Sequence, residues 1–108
     1  MKLRKFDDHL HEKLRDPDYA VAYLEAAWEE GGSDEFLYAL RDVAIANGGV
    51  QQIAQRTGHG RESLYKSLSK EGNPRIKTLD DVLHSMGMRI AIARSTYTGA
   101  RASPEVRR

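Results

Sequence analysis

The chain has no cysteine. That excludes disulfides and thiolate metal sites. It also has no apolar run approaching the ~20 residues a membrane-spanning helix needs. Its opening, MKLRKFDDHLHEKL, lacks the apolar core of a secretory signal. Around Ser63 there is no Gly-x-Ser-x-Gly turn, and GHGRES lacks the Gly-Lys-Ser/Thr of a phosphate loop. No internal repeat is visible. These absences lead to the expectation of a soluble cytoplasmic protein with no membrane contact, no cofactor and no catalytic activity. Its 108 residues suit one domain with a modest core.

What is there is an uneven distribution of charge. The net charge of +1 hides a balance of −5 over residues 1–47 and +6 over residues 48–108. A basic half suits phosphate and an acidic half suits a basic protein, although charge also simply keeps surfaces solvated. One acidic cluster, Asp7, Asp8, His9, His11 and Glu12, contains metal-competent groups, with Asp7 and His11 at i,i+4 spacing. It lies on a short terminal helix with no cavity implied, so the expectation is a solvated helix face and no metal.

The apolar pattern is mainly helical. A short helix spans roughly Asp7–Arg15. Asp16 caps the next helix, and Pro17 suits its first position, where a missing N–H costs nothing. Ala20, Tyr23, Leu24, Ala27 and Trp28 form its stripe, and the tyrosines and Trp28 read as packing. Gly31-Gly32 ends it. Ser33 caps a further helix with the stripe Phe36, Leu37, Leu40, Val43 and Ala44, closed by Gly48-Gly49. Two short helices follow, Val50–Arg56 and Arg61–Leu68, and then a loop at SKEGNPR. Thr78 and Asp81 resemble a capping box ahead of the face Leu79, Val82, Leu83 and Met86, with Gly87 as the stop. Met88, Ile90 and Ile92 alternate with Arg89, Ala91 and Ala93, the period of a short C-terminal β-strand. A lone strand needs a partner, from a second copy or from another protein's sheet. The expected fold is mainly α: a small helical bundle over residues 1–94 with a helix-turn-helix at about 50–68, then a mobile basic tail at 95–108.

The stretch VQQIAQRTGHGRESLYKSL, from Val50, carries the functional reading. Ile53, Leu64 and Leu68 point into the angle between two helices, Ala54 lets them approach, and Gly58 takes the turn. The polar residues fall on the outer side. Arg61 suits guanine, Glu62 cytosine N4, and Lys66 guanine or phosphate, which makes these three the candidates for base reading. Gln51, Gln52, Ser63, Asn73, Arg75 and Lys77 are the candidates for the DNA backbone.

The span Val50–Met86 resembles the Xre/Cro-like helix-turn-helix family. The longer string GGVQQIAQRTGHGRESLYKSLSKEGNPRIKTLDDVLHSMGMRI, with YLEAAWEEGGSDEFLYALRDVAIANGG upstream, resembles the addiction-module antidote proteins. The resemblance covers about Asp7–Ile92. It implies a transcriptional repressor that binds its operator, an inverted repeat in double-stranded DNA, as a homodimer. It also implies a cognate toxin of the RelE/HigB-like mRNA-cleaving type. The pattern departs at His59 and Gly60, where the family carries an apolar residue and a Ser or Thr. The departure predicts a recognition helix with a weaker cap and a turn with less apolar anchoring, and a gain of roughly 1 kcal/mol or less on replacing the pair by Leu-Ser. Three rival readings stand beside it: a protein-interaction module that neutralises a toxin without reading DNA, a stand-alone transcriptional regulator, and a small metal-dependent enzyme that would rest only on the Asp/His cluster.

Overall fold

Five helices follow one another in the computed structural model, which describes residues 8–69 and 72–95. They are α1 (Asp8–Lys13), α2 (Pro17–Ala46), α3 (Val50–Thr57), α4 (Arg61–Ser67) and α5 (Ile76–Ser85). None is long and apolar enough to cross a membrane.

The start of α2 follows from its first residues. Asp16 has extended backbone and its carboxylate accepts from the Asp18 N–H at 3.2 Å, with Pro17 at the first helical position. The helix runs to Ala46 with one break, at Gly32, where φ is 71° and ψ −148°. Only a residue without Cβ takes that backbone cheaply, so helical geometry stops at Gly31-Gly32, as expected, and α2 is two helical parts joined across a kink there. Before the kink α2 buries Ala20, Leu24 and Ala27; beyond it, Leu37, Ala39, Leu40, Val43, Ala44 and Ala46. Trp28 and Phe36 meet across the break edge to face, with ring centroids 5.4 Å apart.

The core closes with Leu14 from the end of α1, Val50, Ile53 and Ala54 from α3, Leu64 and Leu68 from α4 and its end, and Val82, Leu83 and Met86 from α5. One charged side chain joins it. Asp42 is 6% exposed and accepts a hydrogen bond from the Tyr23 hydroxyl at 2.7 Å. Tyr19, Trp28 and Tyr65, expected as packing, instead keep 38–41% of their surface exposed at the rim of the helices.

Two further expectations differ from the structure. Helix α5 begins at Ile76, directly after Pro74-Arg75, and no side chain caps it. Thr78 is already inside the helix, so Thr78 and Asp81 form no capping box. The C-terminal strand is absent among the described residues. The Met88 N–H instead turns back to the Leu83 carbonyl at 2.8 Å, finishing α5 beyond Gly87. Only Met88 of the alternating set is buried; Ile90 is 39% and Ile92 94% exposed. Among the described residues no second strand lies beside it, so the alternation has no ladder to join there. The expected tail lies outside the described residues from residue 96 onward, as does Asp7 of the acidic cluster.

Candidate nucleic-acid interface

The helix pair α3–α4 is organised by its turn. The backbone at Gly58 is left-handed, with φ 81°, and its N–H caps α3 by bonding the Ala54 carbonyl at 2.9 Å. Gly60 flanks α4 with no side-chain bond to the first turn, as its lack of a hydroxyl requires. Ile53, Ala54, Leu64 and Leu68 are all buried between the helices. Since Leu64 and Leu68 face inward, Arg61, Glu62, Tyr65 and Lys66 are left exposed on the outer side of α4.

The candidate residues are placed as follows. Gln51 and Gln52 are exposed in the first turn of α3. The Arg61 guanidinium donates to Gln51 Oε1 at 3.3 Å, which brings the starts of α3 and α4 onto one surface. Gln52 accepts from Arg56 at 3.0 Å. Glu62, Ser63 and Lys66 are exposed on α4, and Asn73 and Arg75 are exposed ahead of α5. Lys77 is 81% exposed and reaches Asp81 Oδ2 at 3.4 Å. The structure thus joins Arg61 to Gln51 directly, while among the described residues no hydrogen bond or ion pair ties Glu62, Ser63, Lys66, Asn73 or Arg75 to this pair.

Two features of the surroundings were not foreseen from the sequence. The first is His59, whose Nε2 lies 2.9 Å from Asp81 Oδ2. The residue that departs from the family pattern is therefore anchored to α5 by a polar contact. That contact, then the positive charge of Lys77, holds the Asp81 carboxyl below the usual carboxylate range against the effect of partial burial. The second is Arg56, which donates to the Ser85 carbonyl at 3.3 Å, the Asn47 carbonyl at 3.3 Å and Gln52. It fastens α3 to the ends of α2 and α5, beside an open polar depression lined also by Thr57, Lys77, Asp81 and His84. The oddity of His59 was a signal; its partner, twenty-two residues away, was not. At Tyr65 of α4, Arg41 of α2 lies over the ring, 5.3 Å from its centroid. Among the described residues no group of three His, Cys, Asp or Glu is arranged to hold a metal ion.

The fold and this surface define a small helical protein with a compact helix pair presenting a polar, mostly basic face. The family described as "Probable addiction module antidote protein" matches residues 2–94 by its sequence model. A protein of Haemophilus influenzae (strain ATCC 51907 / DSM 11121 / KW20 / Rd), named only "Uncharacterized protein", is 32% identical over 96 residues, covering 89% of this chain and 96% of the relative. No solved structure matches. The chain belongs to the addiction-module antidote family.

Proposed function

We propose that the protein is an antitoxin that also represses transcription, binding operator DNA through α3 and α4 as a dimer and neutralising a RelE/HigB-like toxin. Membership of the antidote family supports the toxin partner. The observation that carries the DNA reading is the Arg61–Gln51 contact, which sets the outward starts of the two helices side by side. In a helix-turn-helix of the Xre/Cro-like kind, the start of the second helix enters the major groove and the first crosses the backbone. Arg61, Glu62 and Lys66 then read base edges. Gln51, Gln52, Ser63, Asn73, Arg75 and Lys77 hold phosphates and fix the register. A dimer presents two such helices about 34 Å apart, one DNA turn, so the operator is an inverted repeat.

The test is fluorescence anisotropy with a labelled duplex from the upstream promoter, beside an unrelated duplex of equal length. Tighter binding to the promoter duplex, weakening steeply with salt, is expected. Equal affinity for both duplexes, or no binding at low salt, would sink the repressor reading. It would favour an interaction module that neutralises the toxin without DNA, a reading to which the uncapped start of α4 lends some weight.

A further inference from the structure

Residues 16–40 hold seven carboxylates and no Lys or Arg. The part of α2 before its kink arranges several of them on one side. Asp18, Val21, Glu25, Trp28 and Glu29 follow the i, i+3, i+4 spacing of a single helical stripe, and all are exposed. Ala20, Leu24 and Ala27, on the opposite side, are buried. Val21 and Trp28 keep 39% and 38% of their surface exposed, so the stripe is two apolar side chains framed by carboxylates. Among the described residues, neither Asp18 nor Glu25 nor Glu29 enters an ion pair. Trp28 is held edge to face against Phe36 across the kink, which fixes its ring before any partner arrives.

We propose that this stripe is where the toxin docks, through its own basic surface. The proposal rests on the antitoxin reading given above. Charge selects the occupant. Nucleic acid is repelled by the carboxylates, and a second copy meeting it stripe to stripe would bring like charges together. A toxin that cleaves RNA holds a polyanion with cations, so the surface it uses on RNA is complementary to this one. A rigid tryptophan framed by polar groups is the arrangement that concentrates binding energy at protein interfaces. Docking there covers the toxin's cationic surface through residues that belong to α2 and to neither α3 nor α4.

The experiment titrates the full chain, by calorimetry, with the purified protein encoded in the adjoining reading frame. The E25K/E29K variant should weaken binding by about 100-fold and Trp28→Ala by about 30-fold, and added salt should weaken the unsubstituted pair. Trp28→Ala also loosens Phe36. The charge-reversed pair does not touch the core, so it keeps the test decisive if the tryptophan variant melts early. Folded variants that bind within about threefold of the parent would overturn the docking surface and leave the antitoxin reading standing. No binding by the parent chain would remove both. A changed sedimentation coefficient of E25K/E29K alone would assign the stripe to self-association and overturn the proposal.

Discussion

His59 and Asp81 approach to 2.9 Å from positions far apart in the chain. An apolar residue at position 59 would have secured the turn by burial; here a histidine secures it through a carboxylate on α5. The expected gain from a Leu-Ser replacement therefore splits. Gly60→Ser should stabilise the protein by a few tenths of a kcal/mol through a new cap, whereas His59→Leu should lower the melting temperature by removing the partner of Asp81. In a double-mutant cycle the losses from His59→Ala and Asp81→Asn should be smaller together than their sum. Additive losses would show that the two side chains are not coupled. Because the folded-state value of Asp81 is lowered, its ionisation stabilises the fold above the unfolded carboxylate pKa near 4, and that contribution fades as pH falls through the lowered value. Asp81→Asn should flatten this acid limb in melts run below about pH 5. A second polar pair lies deeper. Tyr23→Phe leaves the buried Asp42 carboxylate without the 2.7 Å donor and should cost about 2 kcal/mol in denaturant unfolding. An unchanged midpoint would mean that the other contacts of Asp42 suffice. Neither pairing was legible in the sequence, since periodicity reports which face is apolar and not which polar groups meet across the fold.

At the scale of elements the sequence was a better guide. Asp16-Pro17, Gly58 and Gly87 each mark a boundary through local chemistry, and the structure places helix ends there. The apolar frame Ile53, Ala54, Leu64 and Leu68 was likewise readable, because those positions must face inward for two short helices to pack. The start of α5 and the strand were misread for a shared reason: each reading relied on a short pattern whose outcome depends on tertiary partners. Thr78 had no free helix end to cap, and among the described residues Met88–Ile92 has no strand beside it. Composition marks SKEGNPR only as a loop, yet Gly72 within it is tightly set against the end of α4. A Cβ there would fall 2.6 Å from the Lys66 carbonyl oxygen and closer still to that of Ser67. At Gly58 a Cβ meets nothing within 4 Å, and only the positive φ opposes it. Gly58→Ala should therefore cost roughly 1–2 kcal/mol, and Gly72→Ala should cost more, because backbone rather than a flexible side chain must move. Equal midpoints in urea for the two variants would contradict that ordering.

For the whole molecule, the opposite charges of the two halves correspond to two proposed tasks, with the basic half meeting DNA and the acidic half a basic protein. On that reading Lys77→Ala weakens every duplex alike and lowers the salt slope by about one, while Arg61→Ala costs about 1–3 kcal/mol and relaxes preference at one base position. Binding isotherms on a panel of single-base operator variants separate these outcomes. An unchanged preference in Arg61→Ala would remove its base-reading role. The kink in α2 has a consequence for size. Thirty helical residues in a straight line would measure about 45 Å, longer than the 40 Å greatest extent of the described residues. Left unbroken, α2 would be a rod projecting past the body it belongs to, with Ala20, Leu24 and Ala27 carried out of the core. The break at the single residue Gly32 takes the chain out of that line, and so keeps the apolar side chains on both sides of it within one core.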